Sequence, residues 1–211
     1  MNGDRIAPWE VRRTRTTYQD RWLRVRSDDC VDADGREIAP YHVIEYPDWI
    51  NVVPLTPEGR LIVVREYRHG RGEVMTGLVS GTLEAIDRLE EPGAAERAAR
   101  RELEEETGYH AARFQPVLRS YPNSANHNNV VTTFLALDAE PRSAPKLDAS
   151  EAIELVLEDL PSLMVGLRDG AVAMQAMHVA GLWSAVARIL AETLKFAAAD
   201  TLRRALADVL T

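Results

Sequence analysis

At 211 residues the chain is long enough for one large domain, or one domain with a small appendage. Its 45% hydrophobic and 27% charged residues are those of a soluble globular protein with a sizeable core, and a net charge of −8 argues against a nucleic-acid-binding surface spread over the molecule. The single Cys30 excludes an internal disulfide framework, and no uninterrupted apolar run approaches the roughly 20 residues of a membrane helix, so the expectation is a cytoplasmic protein with no membrane and no nucleic-acid partner.

Residues 1–15 are polar and basic, with Arg12, Arg13 and Arg15 close together, and are expected to form a flexible or lightly packed start. From Thr16 to Glu45 the pattern becomes β-like, with a hairpin signal at Asp32-Ala33-Asp34-Gly35 and a returning strand at Tyr41–Tyr46. Trp49–Leu55 and Arg60–Tyr67 read as two further strands around the tight turn Thr56-Pro57-Glu58-Gly59. Next come the arginines Arg65, Arg68 and Arg71, an apolar stretch Val74–Ser80 ending at Gly81, and a polar, acidic segment Thr82–Glu91. The arginines either hold a phosphate through their planar forks or form a basic surface loop.

An alanine-rich helix is expected to start near Ala94 and to end at Gly108, which suits a left-handed C-terminal cap. Phe114–Leu118, Val130–Leu137 and Ala152–Leu157 read as strands, separated by the polar loop Tyr121–Asn129 and by a second loop over 138–150. Helices are expected over Leu160–Leu167, Ala171–Ala191 and Leu194–Leu210. Met174, Met177, Leu182, Trp183, Val186 and Leu190 make a helical apolar stripe that reads as core or dimer surface. Strands on either side of one central helix, with helices at the end, give a layered α/β (α+β) architecture.

Near the end of the central helix stand four carboxylates in five positions, Glu102-Leu103-Glu104-Glu105-Glu106. Glu102, Glu105 and Glu106 share one side, where like charges cost a few tenths of a kcal/mol per pair. Such a face is either plainly solvated or a site for a hard cation, which prefers carboxylate oxygens.

The run Arg101-Glu102-Leu103-Glu104-Glu105-Glu106-Thr107-Gly108-Tyr109 resembles the second half of the Nudix hydrolase box, G-x5-E-x7-R-E-U-x-E-E-x-G-U, where U is bulky and apolar. The strand Val63–Arg68 and Tyr121-Pro122 look like those of the ADP-ribose and nucleotide-sugar branch, and the likeness covers about residues 40–190. The first half departs from the pattern. Gly81 is the natural match for its glycine, which leaves an insertion of about six residues within Ala85–Glu91 and three candidates, Glu84, Glu90 and Glu91, for the first glutamate.

The resemblance implies a Nudix-like α/β/α sandwich with a mixed sheet, a small N-terminal antiparallel sheet and C-terminal helices. It implies a region over 1–47 for dimerisation, a hydrolase domain over 48–192 and a helical extension over 193–211. It further implies a magnesium-dependent hydrolase, with manganese as an alternative, that cleaves the pyrophosphate bond of ADP-ribose or a related nucleoside diphosphate sugar, and a homodimer. Glu102 and Glu106 would be direct metal ligands, with Glu105 direct or acting through water, together with the backbone carbonyl of Ser80, and Arg101 would orient a box carboxylate. The general base would come from the acidic loop Leu147–Glu154, with Glu151 preferred over Asp148 or a box glutamate. Arg65 and Arg68 are the phosphate candidates beside Gly81. Trp49 either stacks on a base or fills the sheet, and Asn126-His127-Asn128 either bond a sugar or form a turn. The alternatives are the same chemistry on a dinucleotide or coenzyme, or a nucleotide-binding regulator without turnover.

Overall fold

The computed structural model describes residues 6–88, 93–147, 152–191 and 194–210, which group into two compact units. The first comprises the chain up to Pro47 together with Tyr121–Val130. Its sheet runs β1 (Glu10–Gln19), β2 (Arg24–Val31) and β3 (Glu37–Glu45), antiparallel throughout. The expected hairpin is present: the Gly35 N–H donates to the Asp32 carbonyl at 3.1 Å, and Gly35 adopts φ +80°. Of the flexible or lightly packed start expected over 1–15, the part from Glu10 is regular: β1 is a ten-residue strand, lightly packed in that it is exposed along its whole length. No apolar face marks it in the sequence. What holds it is the backbone ladder to β2, the β-favouring Thr14, Thr16 and Thr17, and the Arg15–Asp29 ion pair at 2.7 Å. The segment Tyr121–Val130 joins this unit where the Ile44 N–H donates to the Asn126 carbonyl at 2.7 Å and the rings of Tyr46 and His127 lie 5.1 Å apart.

The second unit holds Asp48–Ser120 and Val131–Thr211. Its strands are β4 (Trp49–Pro54), β5 (Arg60–Arg68), β6 (Glu73–Gly77), β7 (Val79–Thr82), β8 (Tyr109–His110), β9 (Arg113–Ser120), β10 (Val131–Leu137), β11 (Glu140–Pro141) and β12 (Ile153–Asp159). The helices are α1 (Ala94–Thr107), α2 (Leu160–Arg168), α3 (Ala176–Leu190) and α4 (Ala199–Leu210). A four-stranded mixed sheet runs β7-β4-β10-β9, with β4 and β10 parallel; an antiparallel sheet runs β12-β5-β6.

Strand alternation sorts the core into two layers. Val53, Leu55, Leu61, Val63, Leu135 and Leu137 pack under α2, α3 and α4, whereas Ile50, Val52, Ile62, Val64, Phe134 and Ala136 receive Ala98, Ala99 and Leu103 of α1. Helices therefore cover both faces, the α/β/α arrangement that the family resemblance implies. Two helix starts differ from expectation. After the left-handed Gly170 the chain stays irregular to Gln175, so α3 begins at Ala176 rather than Ala171, and α4 begins at Ala199 rather than Leu194. Leu202 and Leu206 of α4 are buried in the same cluster as Leu160, Leu182 and Val186.

Candidate active site

Helix α1 presents its carboxylates at graded depth. Ala94, Ala98, Ala99 and Leu103 face the sheet, so Glu106, one turn past Leu103, is carried inward to 8% exposure. The Glu102 side chain is 12% exposed and that of Glu105 44%, while Glu104 lies on the solvent side. The helix ends as expected. Gly108 takes φ +72°, and its N–H donates to the Glu104 carbonyl at 2.8 Å. A Cβ at Gly108 would overlap the Ser143 carbonyl, so glycine is required there for space as well as for φ. The loop beyond is tied to the helix end, since Lys146 N–H donates to the Glu105 carbonyl at 2.7 Å. Further on, Asp148 and Glu151 lie outside the described residues, as do Glu90 and Glu91.

Arg101 organises the face. Its guanidinium donates to Glu102 and Glu105 at 2.9 Å each, to the Thr82 carbonyl at 3.0 Å and to the Asp87 carboxylate at 3.1 and 3.4 Å. Burial works against its charge, but the carboxylates of Asp87, Glu102 and Glu105 outweigh burial and hold Arg101 more firmly protonated than usual. Asp87, on a single 3₁₀ turn at Ile86–Arg88, has a side chain only 4% exposed. Arg97, one helical turn before Arg101, donates twice to the Asp87 carbonyl, at 2.9 and 2.7 Å.

Among the described residues an aspartate, not the candidate Glu84, makes the contact expected of the first half of the box, while the candidates Glu90 and Glu91 lie outside the described residues. Glu84 remains 3.9 Å from Arg101 with a side chain 58% exposed, and Asp87 makes the buried contact. Counting from Gly81, Asp87 is the position after five intervening residues, and thirteen residues rather than seven then precede Arg101. The acidic position is kept, one methylene shorter, and the extra residues follow it. A search confined to glutamates passes over it.

Gly81, on β7, is pressed against Glu102. A Cβ there would overlap the Glu102 carboxylate, which is why the strand carries glycine beside the acidic helix. Over Gly81 opens a cavity of about 250 Å³ lined by Trp49, Ile50, Arg68, Ser80, Gly81, Thr82, Gln175 and Met177. The structure thus brings together four of the expected residues, Trp49, Arg68, Ser80 and Gly81, with the Arg101 and Glu102 cluster directly behind. Arg68 is ion-paired with Glu66. Arg65 is turned away: it pairs with Glu154 at 3.0 Å and does not line the cavity. Three residues apart on β5, Arg65 and Arg68 face opposite ways. Asn126, His127 and Asn128 belong to the first unit.

Gln175 and Met177 were not legible as cavity residues. Met177 sits in an apolar stripe that reads as core, and Gln175 carries no motif. Among the described residues no three His, Cys, Asp or Glu side chains converge as a ready-made metal cage, because Arg101 occupies the space between Glu102 and Glu105.

Residues 46–171 match the Nudix domain model. The chain belongs to the Nudix family. Residues 9–44 match the nucleoside diphosphate sugar hydrolase N-terminal domain. An ADP-ribose pyrophosphatase of Bacillus subtilis (strain 168) is 31% identical over 138 residues, spanning 64% of this chain and 71% of that protein. A methanol dehydrogenase activator of Bacillus methanolicus is 23% identical over 145 residues, 68% of this chain and 75% of that one. The solved structure of an ADP compounds hydrolase superposes with a TM-score of 0.75 at 22% identity, over 90% of this chain and 99% of that one, a likeness of fold. The protein is a Nudix hydrolase. No helix among the described residues is long and apolar enough to cross a membrane.

Proposed function

We propose that this Nudix hydrolase cleaves the pyrophosphate bond of ADP-ribose or a related nucleoside diphosphate sugar, releasing a nucleoside monophosphate and a sugar phosphate. One observation carries the reading: a cavity with an aromatic ring, Trp49, and a cation, Arg68, opens onto the Gly81 backbone against which the Glu102 carboxylate is pressed. Such a cavity offers a base or sugar a flat apolar surface, and a pyrophosphate a guanidinium on one side and an acidic cluster on the other.

Three carboxylates on one helix face, with Glu102 against the strand that carries Ser80 and Gly81, are the hard oxygen donors that suit magnesium or manganese. Glu102, Glu105, Glu106 and the Ser80 carbonyl would hold the ion. When bound, it supplies Lewis-acid neutralisation of pyrophosphate charge and a lowered pKa for attacking water. Glu102 and Glu105 would then release Arg101, whose guanidinium keeps Asp87 and the Thr82 carbonyl as partners. Arg68 would hold a phosphate oxygen and Trp49 would stack against the base. In this reading Glu151 takes the proton of the water that attacks phosphorus, and the P–O–P bridge breaks to leave two monoesters.

The single cysteine, buried and unbridged, suits a reducing compartment such as the cytoplasm. A homodimer is part of the same proposal. The edge strand β1 and the turn after it expose Val11, Tyr18 and Trp22, apolar surface that a second copy would bury.

The test is incubation with magnesium and a panel of nucleoside diphosphate sugars, dinucleotides and nucleoside triphosphates, with products separated by chromatography. AMP and ribose 5-phosphate from ADP-ribose are expected; turnover of dinucleotides alone would replace the substrate class. Glu106→Gln should abolish turnover with an unchanged melting temperature, and retained activity would show that the acidic face is not the site.

A further inference from the structure

One wall of the cavity comes from neither the box nor the strands around it. Gln175 and Met177 stand at the first turn of α3, and that turn is seated by polar contacts. His178, 1% exposed, accepts the Leu78 backbone N–H on Nδ1 at 3.3 Å, which places the ring proton on Nε2. Asn51, fully buried on β4, donates to the Met177 carbonyl at 3.4 Å and lies 3.5 Å from Thr133 Oγ1. One turn further on, a Cβ at Gly181 would come within 2.9 Å of the Thr133 methyl, so α3 rests close on β10.

The apolar stripe Leu182, Ala185, Val186 and Ile189 already gives α3 its burial. Apolar packing tolerates small slides and rotations, whereas a buried hydrogen bond has one geometry and is costly to leave unmade. Burying His178 and Asn51 has a visible cost, for His178 Nε2 and Asn51 Oδ1 have no hydrogen-bond partner among the described residues. These residues fix the register of the α3 start. Leu78 is two residues before Ser80, so the His178 contact also sets the spacing between the α3 wall and the Ser80–Gly81 floor.

Gln175 occupies the N-cap position of α3 but makes no side-chain cap hydrogen bond. Its carboxamide has no hydrogen-bond partner among the described residues, and it lines the cavity opposite strand residues that offer a ring and a cation. A carboxamide donates and accepts at once, and can therefore read a polar edge of matching pattern.

We propose that Gln175 is a specificity-determining residue, its carboxamide hydrogen-bonding the donor–acceptor edge of the base or sugar of a nucleoside diphosphate sugar, with His178 and Asn51 as positioning residues. The assignment rests on the hydrolase reading above.

The experiment compares wild type, Gln175→Leu and Gln175→Glu on two series: diphosphate sugars with the sugar fixed and the base varied, and with the base fixed and the sugar varied. Gln175→Leu should raise KM about ten-fold or more for the members that present the matching edge, the worth of one good hydrogen bond, and spare the others. Gln175→Glu, which keeps size but loses both donors, should reorder the panel. An equal effect on all members, or none, overturns the assignment. His178→Phe should weaken the same members as Gln175→Leu, and His178→Asn, which can return an acceptor near the place of Nδ1, should recover part of the loss. Loss on all members alike would reduce His178 to a structural role.

Calorimetric binding of AMP, GMP, UMP, CMP and ribose 5-phosphate is read alongside turnover. A wild type that binds but cleaves nothing removes the hydrolase reading, and Gln175 is then judged on whether its variants change discrimination in binding. A wild type that binds none of these probes overturns the assignment itself.

Discussion

Arg101 and Asp87 form a side-on pair, Nη2 to Oδ2 at 3.1 Å and Nε to Oδ1 at 3.4 Å, at the hinge between an enlarged loop and the acidic helix. Arg97 grips the carbonyl of the same aspartate from one turn earlier, so two arginines on one face of α1 hold a single residue by both its side chain and its backbone.

Asp87→Ala should cost about 2–4 kcal/mol of stability, because it leaves a largely buried guanidinium short of a carboxylate. Asp87→Asn, which keeps an acceptor, should cost less than half of that. Urea unfolding monitored by tryptophan fluorescence measures both, and equal stability of Asp87→Ala and wild type would show that Glu102 and Glu105 suffice.

Gly81→Ala separates stability from activity. The added methyl meets the end of a flexible side chain, Glu102, so the carboxylate swings away and the fold survives with a change of about 1 kcal/mol or less. Displacing a proposed metal ligand by about 1 Å should lower kcat/KM on the order of 100-fold. Activity within three-fold of wild type would remove Glu102 from the machinery.

Gly108→Ala should behave in the opposite way. The left-handed φ and the backbone carbonyl of Ser143, which cannot rotate aside, should together cost at least about 2 kcal/mol. A melting temperature lowered by roughly 5 °C or more is expected.

The His178 imidazole is pushed down to about 3 from 6.5, by burial and then by the nearby Arg68 charge. Its folded pKa lies below its unfolded one, so the unfolded chain binds more protons between these two values. This group's share of stability is complete above pH 6.5 and is lost as pH falls towards 3, at about 1.4 kcal/mol per unit. His178→Asn lacks the titration. Urea midpoints at pH 7, 6, 5 and 4 should fall more steeply for wild type than for the variant, and parallel curves would show that His178 is not buried as a neutral ring.

The chain sequence was most informative where a local rule is strict. The i, i+3, i+4 spacing of Glu102, Glu105 and Glu106, the cap at Gly108 and the turn at Asp32–Gly35 follow from helix and turn geometry that depends on neighbours along the chain. Strand alternation also contained a fact that spacing alone could have supplied, the opposite facing of Arg65 and Arg68.

Tertiary structure decided what neighbours along the chain do not encode. β1 has no apolar face, so pairing with β2, through the backbone ladder and the Arg15–Asp29 ion pair, decides that it is a strand. Gln175 and Met177 reach the cavity because Asn51 and His178, on an element far away in sequence and one turn into the helix, fix where α3 begins. The glutamate run by itself determined the chemistry of one face, since helix periodicity is a property of adjacent residues. Which acid steadies Arg101, and what stands opposite Trp49, were settled by packing, because those distances are set by how separate elements close on one another.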